Sequence, residues 1–470
     1  EDANGRNTAI GHEALKTLNA GADAYNVAVG YAAGEVMSTG VNNVTIGGFA
    51  GDALTTGGYN VAVGYAALST EDGHGRNTAI GQAALSVQNA GADAYNVAVG
   101  YNAGASVSTG ANNTIIGGQA GDALTTGSNN VAIGRNALST EDGHGKNVAI
   151  GNSTLYTLNA GVDAYNVAVG YEAGYAISTG IENTIIGGLA GDALTTGRYN
   201  VAVGMYALST EDGHGFNVAI GRSALQTLNA GIDAYNVAVG YDAGAAMSTG
   251  PYNTIVGALA GDALTTGDRN VAIGTSALGA ETTYGKNVAI GTNTLTIQNT
   301  GADAYNVAVG YNAGLAVTTG VSNTLIGGQA GDSLTTGGYN VAIGRAALAT
   351  ENAHGRNVAI GYEALYTLDA GADAYNIAIG YKAGTAMSTG ITNTLIGGLA
   401  GDALTSGSYN VAIGYAALST EDEHGRCVAI GTNALGNQDA GANAYNVAVG
   451  YEAGASVSTG TNNTLVGGLA

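Results

Sequence analysis

One short phrase recurs along the whole chain: Asn, then Thr or Val, a usually small residue, Ile or Val, Gly, two variable residues and usually Ala. It opens at Asn7, Asn26, Asn43, Asn60 and Asn77, with spacings of 19, 17, 17 and 17, and the set returns every 70 residues at Asn147, Asn217, Asn287 and Asn357. Of 27 copies, 26 begin with Asn, and the exception is Cys427, the single cysteine. The fifth-position glycine never fails, from Gly11, Gly30, Gly47 and Gly64 to Gly467, and only Thr154 and Thr294 replace the Ala. A period kept this strictly belongs to a unit that cannot bury an apolar face alone and does so by stacking on its neighbours. The phrase therefore predicts an all-β chain, a parallel β-solenoid of about 27 coils of 17 or 19 residues. Residues 1–470 are expected to form a single continuous shaft of 70-residue units, four coils each, as a segment of a longer fibre.

Each position of the phrase has a physical reading. In Asn26-Val27-Ala28-Val29-Gly30, Val27 and Val29 share one face of a strand and Ala28 takes the other. The Val and Ile face is assigned to a private core inside the coil. Gly30 ends the strand where backbone turns or approaches closely, which only a residue lacking Cβ does at low cost. A second short segment follows, such as Ala67-Leu68 or Ala33-Gly34, then a turn of Ser, Thr, Gly, Asn and Asp. A coil of this length has room for two or three short strands. Stacking places each Asn above the next and predicts a ladder of side-chain amides, which satisfies buried amides and sets register. Cys427 then reads as a buried replacement in that ladder rather than a nucleophile.

Composition closes off alternatives. Glycine is frequent at 80 residues, yet it does not fall at every third position and proline occurs once, which excludes collagen. With 45% hydrophobic residues the chain does not read as disordered, and no apolar run approaches the ~18 residues of a membrane span. A net charge of −22 argues against nucleic acid as a partner. One cysteine precludes an internal disulfide framework. Loops that repeat almost verbatim are poor material for a unique catalytic cleft, so the chain reads as no enzyme.

The phrase Asn-Val-Ala-Ile-Gly, as at Asn147 to Gly151, resembles the head repeats of trimeric autotransporter adhesins. Asn7 to Leu15 is similar to the Asn-Thr-Ala-Ile-Gly-x-x-Ala-Leu arrays of phage tail-fibre proteins. The resemblance covers the whole chain through a short apolar motif. It implies a left-handed parallel β-roll with three chains side by side, displayed outside the cell. The present coils are longer than that family's usual repeat and group in fours.

A separate argument favours self-association. Each coil offers a private core only about two Val or Ile and at most one Leu, a thin return for ordering so many residues. The opposite strand face is also uncharged, with Ala28 and Ala62 in some coils and Ile115, Ile185 and Leu325 in others. Strands apolar on both faces are strands covered on both faces. The second face is therefore expected to meet partner chains in a homotrimer, with end-to-end filament growth as a further mode.

The four coils of a unit close through different loops, which supply the candidate ligand residues. Asp52, Asp122, Asp192, Asp262, Asp332 and Asp402 hold one phase, and Asp23, Asp93, Asp163, Asp233, Asp303 and Asp373 another, with Asn443 seventh. Such carboxylates suit Ca²⁺, the one cofactor weighed, or bond to their own turns as Asx caps. His74, His144, His214, His354 and His424 lie beside Glu71, Glu141, Glu211, Glu351 and Glu421. A transition-metal site is one reading; Tyr284 in the Glu281 copy favours the other, loose charge on a solvated loop. Tyr31, Tyr101, Tyr171, Tyr241, Tyr311, Tyr381 and Tyr451 follow the invariant glycine, as a stacked structural ladder or a glycan-binding stripe. The expected function is structural: the rigid shaft of an extracellular surface fibre or filament serving adhesion or matrix formation, or of a phage tail fibre. A glycan or cell-surface receptor is the expected outside partner.

Overall fold

A computed structural model describes residues 5–470. Among them are 27 strands, each three residues long and each one copy of the phrase between its Asn and its Gly, and no helix. The chain forms two compact units, one ending at Tyr235 and the other running from Asn236 to Ala470. The first contains 13 strands, from Thr8–Ile10 to Val218–Ile220, and the second 14, from Val237–Val239 to Thr464–Val466. Within each unit, sequential strands pair in parallel and like lies on like. Thr8 faces Val27, Ala9 faces Ala28 and Ile10 faces Val29, and the same register holds at Val271–Ile273 on Val288–Ile290. The fold is a parallel β-solenoid with one coil per phrase.

The strand faces are the reverse of the sequence expectation. Ala28, Ala62, Ile115, Ile185 and Leu325, assigned to partner chains, point into the coil and are fully buried. The first and third strand residues, Val27 and Val29 in the second coil, point outward and are half-buried. The coil interior is narrow, so it takes one side chain from the strand and fills the rest from the opposite wall. Leu68 and Leu85 come from that wall in some coils. In others the wall residue is Gly104 or Gly121, and the room goes to Ile115 with Val107 or Leu124. A Cβ on Gly104 would lie 2.9 Å from Ile115 Cδ1, and one on Gly121 2.8 Å from Leu124 Cδ1.

Only one strand forms per coil, because the rest of the coil alternates left- and right-handed backbone. Each coil has left-handed residues just before the Asn (Tyr59, φ 62) and two and four places after the Gly (Ala66, φ 54; Leu68, φ 52). Such a residue costs an L-amino acid about 1–2 kcal/mol. What it gains is direction: its N–H turns along the stack, so Ala66 donates to Gly48 O at 2.9 Å and Tyr59 to Val41 O at 3.0 Å. The second segment keeps its ladder too, with Leu68 donating to Ala84 O at 3.0 Å.

The Asn ladder forms, but through the backbone. The Oδ1 of Asn26 accepts the N–H of Asn43 at 2.9 Å, and its Nδ2 donates to the carbonyl of Gly40 at 2.8 Å. Oδ1 of Asn43 in turn accepts the N–H of Asn60 at 2.9 Å. These side chains are buried, so each amide satisfies a main-chain donor that turns away from the strand ladder. Direct amide-to-amide bonds are occasional, as from Asn183 Nδ2 to Asn166 Oδ1 at 3.2 Å. Cys427 is fully buried, as expected, and donates its N–H to Asn410 Oδ1 at 3.0 Å, while its sulfur offers Asn446 only a weak acceptor. Thr154 and Thr294 are buried too, each with its hydroxyl donating to a carbonyl of the following coil, Gly170 and Gly310.

Two predictions follow from the stacking. Gly100 has φ +142, and a Cβ there would lie 2.5 Å from Gly117 O, whereas Gly91 has φ +69 with nothing within 4 Å. Gly100→Ala should therefore cost about 3 kcal/mol and Gly91→Ala about 1 kcal/mol, read from urea midpoints. Cys427→Asn restores the missing acceptor and should stabilise the protein by about 1 kcal/mol in the same measurement.

Candidate functional site

The loops that close the coils carry the chemistry, and stacking decides which of their side chains meet. The Asp52 column sits one residue past a left-handed glycine, once in each 70-residue repeat. Burial pushes the Asp52 carboxyl up, while its own N–H and that of Ala53 hold it back. Asp122, Asp262 and Asp332 are shifted the same way, again with burial as the first cause. Members of the column recur every four coils, about 19 Å at strand spacing, so within a unit no two of these carboxylates share an ion.

The Asp93 column is engaged differently. Its Oδ1 accepts the N–H of Gly75 at 3.0 Å and its Oδ2 pairs with Arg76 Nε at 2.7 Å, both in the preceding coil. Asp163 does the same with Gly145 and Lys146, and Asp373 with Gly355 and Arg356. These residues cap the neighbouring coil rather than their own turn. Asn443 can replace the seventh because its Oδ1 still accepts the N–H of Gly425, at 3.1 Å.

Tyr31, Tyr101, Tyr171 and Tyr241 are all about half-exposed and stand four coils apart, so they do not stack on one another. The ladder reading of this column is therefore corrected; its rings instead meet whatever the next coil presents. Tyr31 lies between His12, stacked at 5.5 Å, and the edge of Phe49 at 5.2 Å. Beside Tyr101 the next coil presents Gly118, which leaves the ring an open shelf.

A second aromatic column went unrecognised in the sequence. The left-handed residue before each ladder Asn is often Tyr, Arg or Lys, and these interleave along one corner. Arg76 sits 5.4 Å from the Tyr59 ring and 5.6 Å from Tyr95, and Arg356 lies 5.5 Å from both Tyr339 and Tyr375. In the copy with Phe216 the ring stacks between Tyr199 and Tyr235 at 4.9 and 4.8 Å. Seven of the 13 basic residues occupy this corner, so the chain's scarce positive charge is concentrated there. The signal was Arg76 standing 17 residues after Tyr59 and 19 before Tyr95.

The Glu and His loops differ most from expectation. Glu71, Glu141, Glu211, Glu281, Glu351 and Glu421 are completely buried, not loose charge on a solvated loop. Glu71 Oε1 accepts the N–H of His74 at 3.1 Å, tying the loop into a turn. The His74 ring is about one-third exposed and places Nδ1 3.9 Å from that same oxygen. Equivalent separations are 3.8, 3.5, 3.8 and 3.7 Å at His144, His214, His354 and His424. Asp72, Asp142, Asp212 and Asp422 bring a further carboxylate within 4.8 Å, and Asp369 of the next coil does so at the Glu351 copy.

The half-buried Asp52 column sets a pH dependence. Glu35 beside Asp52 and Glu172 beside Asp192 add to its upward shift, and Lys382 opposes it at Asp402. A carboxyl raised in the folded state binds its proton more tightly there than when unfolded. Its contribution to stability therefore grows as pH falls towards the ordinary carboxylate range and is lost as pH rises through the folded value. Melting midpoints should be higher near pH 5 than at pH 7, and Asp→Asn at all six positions should reduce that difference, the remainder belonging to Glu71, Glu141, Glu351 and Glu421, whose carboxyls burial also raises. Neither a scan against protein-family models nor a search of curated proteins finds a match to this chain.

Proposed function

We propose that this protein is a non-enzymatic structural protein, the rigid shaft of an extracellular surface or virion fibre that assembles from copies of itself. The observation that carries this reading is the outward strand face. Its first and third residues are Val, Ile or Thr in every strand, with no charge among them. Ile116 and Ile326 remain 37% exposed although the coil core beneath them is already filled by Ala, Leu and Ile. Within each unit the third residues form an unbroken apolar row of Val and Ile, flanked by a second row of Val or Ile interrupted by Thr. Isolated exposed apolar residues are ordinary, but a continuous stripe of them marks an association surface.

Several copies packed on these stripes, in the homotrimer expected from the sequence, would cover both faces of a parallel sheet, as such sheets require. Charge supports the same assignment: acidic groups lie in the loops and away from the stripe, so the −22 balance keeps such fibres apart laterally while leaving the apolar face free to pair. The half-exposed Tyr31 and Tyr101 rings, just past the strand ends, would supply a carbohydrate-facing surface for adhesion.

Light scattering on the purified chain should give a multiple of the single-chain mass. Val99→Lys combined with Ile116→Lys should reduce that multiple while circular dichroism stays unchanged, since both side chains point out of the coil. A wild-type chain that runs as a monomer would sink the reading.

A further inference from the structure

We propose that the Glu and His loops are binding sites for a zinc-class divalent cation, one per unit of 70 residues and five among the described residues: at Glu71, Glu141, Glu211, Glu351 and Glu421. Three observations on these loops converge.

The first is an uncompensated buried charge. Glu71 and Glu141 are fully buried, yet each carboxylate has only backbone N–H donors, that of His74 or His144 at 3.1 Å and, more weakly, that of Ala90 or Ala160 in the next coil. Oε2 of Glu71, Glu141 and Glu421 has no donor within full hydrogen-bond geometry. A buried carboxylate is costly unless it is paired with charge or fully hydrogen-bonded, and histidine is the only basic side chain within ion-pair distance of these groups.

A second observation is the imidazole nitrogen. Nδ1 is buried and lacks a hydrogen-bond partner in all five copies, His74, His144, His214, His354 and His424. It faces the glutamate oxygen at 3.5–3.9 Å, too long for a hydrogen bond. Two ligands of one tetrahedral zinc, each bonded at about 2.0–2.2 Å, stand roughly 3.3–3.6 Å apart. The pair is therefore spaced close to the bite of an ion, and the neighbouring aspartate supplies a third ligand. One nitrogen with two carboxylates is a donor set for zinc and its first-row neighbours rather than for calcium. Access is open: the groove beside His214 is lined by Thr196, Arg198, Gly213, Ile232 and Asp233.

The third observation is an internal control. In the copy where Tyr284 replaces histidine, Thr282 and Thr283 also leave no aspartate in the loop. There the buried Glu281 collects four donors: the N–H groups of Thr282, Tyr284 and Thr300, and Gln298 Nε2. Where the histidine is present the glutamate has one or two donors. The carboxylate thus draws side-chain donors from the protein only at Glu281, where the histidine is missing. The fold also accepts loss of the histidine, which makes histidine variants usable probes.

The test is zinc content. The full chain, stripped with chelator and then equilibrated with Zn²⁺, should retain about five ions per chain by mass spectrometry of the intact protein and by elemental analysis. A chain with His74→Gln, His144→Gln, His214→Gln, His354→Gln and His424→Gln should fold, as circular dichroism will show, and fall to background. Co²⁺ in place of Zn²⁺ should give visible absorption bands in the wild-type chain that the variant lacks. Retention no greater than that of the variant, or equal retention by both, overturns the proposal; the latter would place the ions on surface carboxylates.

Discussion

Everything in each unit depends on the requirement that its coils lie directly on one another, backbone to backbone, at strand spacing. The invariant glycine is where that requirement is tightest. At Gly134 a single added carbon would sit 2.2 Å from the carbonyl oxygen of Gly151, and the same contact recurs from Gly11 to Gly204 in the first unit and from Gly240 to Gly450 in the second. A column of main chain this closely stacked accepts no side chain, so the residue is fixed by geometry in every copy. The glycine excess of the composition is to that extent a count of coils.

Close stacking also explains how the fold tolerates so many left-handed residues. Leu85 with φ 48 and Tyr95 with φ 54 would be costly in isolation. Here each such residue turns a backbone group along the axis of its unit, where the adjacent coil meets it. The Asn side chains do the remaining work by supplying Oδ1 to the one N–H per coil that the strand does not use. Local strain and long-range hydrogen bonding are therefore two sides of one arrangement, and neither would persist without the other.

The elements legible in advance were those written as identity at fixed phase. Asn26, Asn43 and Asn60 announced a ladder, Gly30 a close approach and Cys427 a buried exception, and each is found in place. Less accessible were features that depend on which way a side chain points. Val27 and Ala28 alternate in the sequence, but alternation does not say which face is inside. That was decided by the width of the coil, which holds Ala28 with Met37, or Ala62 with Leu68 from the opposite wall, and has no room for two further branched residues. The corner of Arg76 with Tyr59 and Tyr95 was hidden for a related reason: its members lie in three successive coils and belong to no common motif.

The sequence by itself determined the repeat, its coil lengths, the parallel register and the positions where only glycine or asparagine would serve, because stacking identical backbones makes position equivalent to phase. Tertiary structure alone decided the environment of each phase. Glu71 and Asp72 are neighbours of the same charge in a polar loop, and nothing in their order distinguishes them. Folding buries the first completely and leaves the second in solvent. The reason is that burial is set by the curvature of the closing turn and by the coil stacked upon it, and a one-dimensional pattern of residue types records neither.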